Sequence, residues 1–197
     1  MKRNANKTSI PQIVDYWSGI VDEGDLSVDW SEAEERCWRC GSAKELTRCH
    51  IVPHSLGGDD EPANYVMLCR QCHEEGPNVN DPEIMWDWLM AYKCTYYDTF
   101  WQVEGKREYE RIYRRTTSQD LQFLTEECAV CEAEFEDAIR DAVHQSSRHF
   151  GQSAPNKATT AGIYRMVMKV LAERAGKKLP DERRPSLTRK CNPRFWA

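Results

Sequence analysis

Two Cys-x-x-Cys pairs, Cys37/Cys40 and Cys69/Cys72, constrain this 197-residue chain more than any other feature. Each pair sets two sulfurs on one side of a turn, and four thiolates so arranged suit a tetrahedral zinc ion. The stretch between the pairs is longer than a simple zinc ribbon needs, so the ion clamps the two ends of an insert. That insert carries His50, His54 and Asn64, and His73 directly follows the last cysteine. Leu46 to Val52 reads as a strand ended by Pro53, and Tyr65 to Leu68 as a second, shorter one. Between them Ser55 to Ala63 (SLGGDDEPA) is turn chemistry, with Gly57-Gly58 and Pro62 breaking any regular element. From Arg70 a helix begins, with His73 in its first turns.

Taken together, Cys37-x-x-Cys40, His50-Ile51-Val52-Pro53, Gly57-Gly58, Asn64 and Cys69-x-x-Cys72-His73 resemble the HNH endonucleases, the zinc-stapled branch of the ββα-metal (His-Me finger) nucleases. The resemblance implies an α+β fold, a small zinc-bound ββα-metal module followed by a mainly α-helical region. It implies a metal-dependent endonuclease hydrolysing phosphodiester bonds in DNA, with RNA as a narrower alternative. By the same resemblance His50 is the general base, a role suited to a side chain titrating near neutrality. His73 is a ligand to a catalytic Mg²⁺ or Mn²⁺ that binds the scissile phosphate and stabilises the departing 3′ oxygen. Asn64 either joins that metal shell or braces the loop that holds His50.

One position departs from the pattern. Family members often carry Asp or His just before the catalytic histidine as a second metal ligand, and here that residue is Cys49. A thiolate is a soft ligand and a poor match for Mg²⁺. Three accounts stay open: Cys49 points into the core and leaves more water on the metal; His54 supplies the missing ligand; or catalysis is lost. The last makes the protein an inactive zinc module that binds nucleic acid or protein.

Composition narrows the setting. Nine cysteines is an odd number, and four fall in ligand spacing, so a reducing compartment with structural Zn²⁺ is expected rather than disulfides. No apolar run approaches the ~20 residues of a membrane span, and the N-terminus lacks the apolar region of a secretion signal. A cytoplasmic protein without a membrane partner is the expectation. The formal net charge of −5 looks unsuited to DNA, yet residues 151–197 hold 11 Lys and Arg against 3 Asp and Glu. Cation density at that end is the electrostatic footprint for phosphate.

The chain then divides into an N-terminal arm over 1–30, the nuclease module over 31–80, a helical region over 81–176 and a basic tail over 177–197. Residues 1–12 read as structureless, ended by Pro11, and residues 13–30 as an irregular lead-in that packs Trp17 and Trp30 on the module, with an acidic protein-binding arm as the alternative. Ser31 and Glu34 have capping-box spacing. Asp81 caps a helix whose apolar stripe, Met85, Leu89, Tyr92, Tyr96, Phe100 and Val103, is core or a base-stacking face. Ser118 caps a third helix that runs through Leu121, Leu124, Cys128, Cys131, Phe135 and Ala142 to Ser146, making Cys128 and Cys131 buried core thiols. A fourth starts at Asn156 or Thr159 and ends at Gly176. No base-reading motif stands in the chain, so specificity comes from these helices, from the tail or from a protein partner.

Overall fold

In this computed structural model the described residues are 8–147 and 155–181. The chain divides into two compact units, residues 1–100 and 101–197.

The first unit opens with α1 (Ile10–Ser18), where a structureless segment to residue 12 and an irregular lead-in after it were expected. Pro11 sits in the first turn, where a missing N–H costs nothing, and the Gln12 side-chain Oε1 accepts from the Ser9 N–H at 2.8 Å and its hydroxyl at 2.9 Å. Residues 1–7 lie outside the described part of the chain. Short 3₁₀ turns follow at Glu23–Asp25 and Trp30–Glu32, the second with Asp29 rather than Ser31 at its N-cap. Both lead-in tryptophans pack as expected. Trp17 donates its indole N–H to the Tyr65 carbonyl at 2.9 Å, and Trp30 meets the buried Trp38 edge-on at 5.2 Å.

Strands β1 (Leu46–His50) and β2 (Tyr65–Cys69) form an antiparallel pair with Leu46 opposite Cys69 and His50 opposite Tyr65. Every residue of β2 is buried, because the first cysteine knuckle covers it; the Trp38 N–H donates to the Met67 carbonyl at 2.9 Å. Helix α2 (Arg70–Glu75) follows without a break and completes the ββα unit. Helix α3 (Pro82–Ala91) starts at Asp81, whose side chain accepts from the Glu83 N–H.

The long aromatic helix of the sequence reading does not form. The chain leaves helix after Ala91, and the next helix begins at Phe100. Tertiary bonds win over periodicity here. The Cys94 N–H donates to the buried Ser27 hydroxyl at 2.8 Å, Tyr97 accepts from the Asp29 N–H and carries the Arg36 guanidinium 4.0 Å above its ring, and Asp98 turns through φ 62°. Tyr96 ends 73 % exposed, off the core stripe.

The second unit consists of α4 (Phe100–Tyr113), α5 (Thr117–Cys128), α6 (Glu132–His144) and α7 (Lys157–Arg174). Thr116, not Ser118, caps α5. The single helix expected from Leu121 to Ser146 breaks at Ala129, which adopts φ 54°. Cys128 is therefore half-buried at one helix end, packed against the core, whereas Cys131 is exposed at the N-cap of the next, so the two are not a buried pair. Helix α7 begins at Asn156 and is followed by Gly176 at φ 69°, as its sequence signals require. The core gathers Tyr109, Leu124, Met168 and Leu171 around a wholly buried Asp120. Arg115 and Arg165 reach its two oxygens at 2.6 and 3.0 Å, and the Tyr109 hydroxyl donates to it. The expectation for the basic tail lies, from residue 182 onward, outside the described residues.

Candidate active site

The four knuckle cysteines, Cys37, Cys40, Cys69 and Cys72, are buried, and their sulfurs lie within 4.8 Å of one another. Sulfurs bonded at about 2.3 Å to one tetrahedral ion stand about 3.8 Å apart, and Cys40 and Cys69 are separated by 3.9 Å. The cluster can hold a zinc ion. Its titration also calls for a cation. Burial, then the hydrogen bonds of Cys40 and Cys69, raise the Cys37 thiol, and hydrogen bonds from Cys37 pull Cys40 and Cys69 down, so the four cannot ionise together unaided. Four thiolates around Zn²⁺ leave a net negative charge, and Arg39 lies against it. Its Nη1 is 3.6 Å from the Cys72 sulfur and 2.7 Å from Glu75, and its guanidinium faces Trp88, Tyr92 and Phe100 at 4.2 to 4.9 Å.

His50 closes β1. Its Nε2 is 2.8 Å from the Tyr65 hydroxyl and 3.2 Å from Asp60 Oδ1, and the same hydroxyl donates to Asp60 Oδ1 at 2.6 Å. These bonds decide the tautomer. The hydrogen bonds from Tyr65 and then His50 hold the Asp60 carboxyl below its ordinary value, so it is ionised and can only accept. Tyr65 gives its one proton to Asp60, so its oxygen meets a hydrogen on His50 Nε2. The lone pair of His50 is therefore on Nδ1.

The arrangement at His73 is the mirror of this. The Thr47 hydroxyl donates to the Leu68 carbonyl at 2.9 Å and lies 2.8 Å from His73 Nδ1. With its proton committed to Leu68, Thr47 accepts from His73 Nδ1–H, and Nε2 keeps its lone pair. Burial, then the neighbouring charge of His50, lowers the His73 pKa and keeps the ring in the neutral form that a metal needs.

Cys49 lies on the same face of β1 as Thr47, since successive residues of a strand alternate. It is 5 % exposed, and burial pushes its thiol up to about 12, so it remains protonated and offers no thiolate to a cation. Asn64 turns its amide onto the turn. It accepts from the Val52 N–H at 2.8 Å and donates to the Val52 and Asp59 carbonyls at 3.0 and 2.9 Å. Gly57 takes the left-handed φ of 96° that closes the 3₁₀ turn His54–Leu56, and Gly58 passes so near Val52 that a side chain there would strike its carbonyl. His54 is exposed at that turn, and its Nδ1–H donates to the Gly58 carbonyl at 3.1 Å, so Nε2 takes no part in that bond. Among the described residues the four cysteines are the only cluster of three or more metal-ligating groups, so a cation at His73 would draw most of its ligands from water and substrate.

Sequence reasoning passed over Asp60, Tyr65, Thr47 and Arg39. Asp60 read as one more turn residue, and Arg39 as part of a knuckle. Tyr65 falls opposite His50 and Leu68 opposite Thr47 only through a strand register that the long connection between them does not fix in advance.

Residues 35–76 match the family model of the HNH endonucleases, a span that takes in both knuckles, both strands and α2. No curated protein and no solved structure matches the chain. No helix among the described residues is long and apolar enough to cross a membrane.

Proposed function

We propose that the ββα unit is a metal-dependent endonuclease that hydrolyses phosphodiester bonds in DNA, with His50 as general base and His73 as a ligand to the catalytic Mg²⁺ or Mn²⁺. The observation that carries this reading is that the two imidazoles are anchored through opposite nitrogens, His50 through Nε2 and His73 through Nδ1. One lone pair, on His50 Nδ1, is available for a water proton, and the other, on His73 Nε2, is available for a metal. A histidine anchored through its second nitrogen by an acceptor is the arrangement both roles require.

In the reaction, His50 Nδ1 accepts a proton from the attacking water, and the resulting imidazolium is stabilised by the Asp60 carboxylate beside Nε2. Thr47 holds the His73 ring so that Nε2 keeps one direction. A divalent cation bound there supplies Lewis acidity toward the departing 3′ oxygen. Asn64 acts as a brace, fastening Val52 to Asp59 and so fixing the exit of His50 from its strand. His54 is a lesser candidate for the metal, through its Nε2.

Outside the site, Arg107, Arg111 and Arg114 line one groove of the second unit together with Glu110, and although Arg107 and Arg111 also pair with Glu104 and Glu108, the three guanidiniums are candidates for phosphate contacts. Such contacts position DNA without reading its sequence, so a protein partner remains a source of specificity. The test is nicking of supercoiled plasmid by the zinc-replete protein in Mg²⁺, Mn²⁺ or EDTA, beside His50→Ala. Metal-dependent nicking that disappears in the variant supports the reading. Absence of cleavage by a folded, zinc-loaded wild type favours the alternative, an inactive zinc module that binds nucleic acid or protein.

A further inference from the structure

We infer that Asp60 and Tyr65 form a positioning clamp that fixes the tautomer and orientation of His50, and that the N-terminal segment holds this clamp in place. The inference rests on His50 being the base, and it assigns a role to two residues that the HNH motif does not contain.

The geometry is a closed triangle. Tyr65 Oη to Asp60 Oδ1, Tyr65 Oη to His50 Nε2, and His50 Nε2 to Asp60 Oδ1 measure 2.6, 2.8 and 3.2 Å. Tyr65 is wholly buried and lies opposite His50 across the hairpin, with ring centroids 4.4 Å apart, so its hydroxyl has little freedom to turn away. Asp60 is half-exposed on the loop, and a loop carboxylate holds a catalytic ring only if its backbone is fixed. Three bonds tie the N-terminal segment to the clamp, and one of them holds the Asp60 backbone itself. The Thr8 hydroxyl donates to the Asp60 carbonyl, Arg48 donates to the Thr8 carbonyl, and Trp17 of α1 donates to the Tyr65 carbonyl. Two strap contacts thus land on the two residues that grip His50. A carboxylate that orients a basic imidazole and stabilises its protonated form is a recurring catalytic device. Here the phenol between them removes the choice of tautomer, because its proton is already given to the carboxylate.

The experiment uses the full-length zinc-loaded protein labelled with ¹⁵N-histidine, as wild type, Asp60→Ala, Tyr65→Phe and the double variant. The ¹⁵N shifts of His50, assigned by its loss in His50→Ala, report the tautomer whether or not the protein cleaves DNA. The wild type should show a protonated Nε2 and an unprotonated Nδ1 at pH 8. The double variant should show averaged shifts of a tautomer mixture, with zinc content and melting temperature close to wild type. Nicking by the double variant should lose about 10- to 100-fold in kcat with KM little changed, a part of the 10²–10⁴ that a general base contributes. A wild type with Nδ1 protonated, or a double variant with an unchanged His50 spectrum, overturns the clamp. If wild type holds the expected tautomer and cleaves nothing, the clamp stands and the nuclease reading fails.

Discussion

Gly58→Ala tests how tightly the site depends on the turn after β1. A Cβ at position 58 would lie 1.8 Å from the Val52 carbonyl oxygen and 2.6 Å from the Asn64 side-chain nitrogen. Carbon and oxygen normally approach no closer than about 3.3 Å, so backbone on one side must retreat by about 1.5 Å. Both obstructing atoms belong to the Asn64 bracket, and that bracket fixes the segment leaving His50. A misplacement of about 1 Å costs about 100-fold in rate when catalytic groups are held in register. We expect Gly58→Ala to lose about that much in kcat while binding the same amount of zinc, since the cysteines lie outside the turn. Gly57→Ala is the control. It meets nothing within 4 Å but keeps φ 96°, so it should cost about 1–2 kcal/mol of stability through backbone strain and change kcat little. The assay is plasmid nicking at saturating metal, with a melting curve for each variant. Wild-type turnover by Gly58→Ala, or an equal loss in both variants, would refute the reasoning.

Removing the metal and replacing single side chains have further consequences. A strong chelator should unfold the ββα unit, since structural zinc contributes about 10–16 kcal/mol of binding energy to small sites; the fluorescence of the buried Trp38 should shift to the red, and zinc should restore it. Cys49→Ala should retain nicking, because a buried neutral thiol is not a ligand. The same thiol holds its proton in the folded state to about pH 12, whereas the unfolded chain loses it near 9.0, so stability contributed by Cys49 falls as pH rises between these values. Alkaline melting curves of Cys49→Ala should show a shallower loss, and an unchanged slope would count against the assignment. Asp120→Ala should cost about 3–5 kcal/mol, as it deprives the buried Arg165 of the nearer of its two carboxylates, and calorimetry of the variant would measure this.

The zinc knuckles, the hairpin and the start and end of α7 were legible in the sequence because short-range chemistry decides them. Cysteine spacing, a proline at a strand end and an Asn cap act within a few residues. The errors share one origin. Periodicity carried one helix through residues 92–99 and another through Ala129, but apolar spacing cannot register a hydroxyl at Ser27 that captures the Cys94 N–H from 67 residues away. Pro11 misled in the opposite sense: it opens a helix as readily as it ends a segment, and the Ser9–Gln12 pair was the overlooked sign. At the site, sequence pointed to the two imidazoles but not to which nitrogen of each is free. That depends on where Tyr65 and Thr47 send their single protons, and only the paired strands reveal it.

The division of labour between the two histidines is tested most directly by titrating Mn²⁺ against the nicking rate of wild type, His50→Ala and His73→Ala, each zinc-replete. A metal ligand and a base fail differently. His73→Ala should raise the Mn²⁺ needed for half-maximal rate by about tenfold or more, in line with the loss of a protein ligand, and regain much of the rate when the ion is in excess. His50→Ala should leave that midpoint nearly unchanged and remain slow at every concentration. Rescue of His50→Ala by excess Mn²⁺, with none for His73→Ala, would contradict the account.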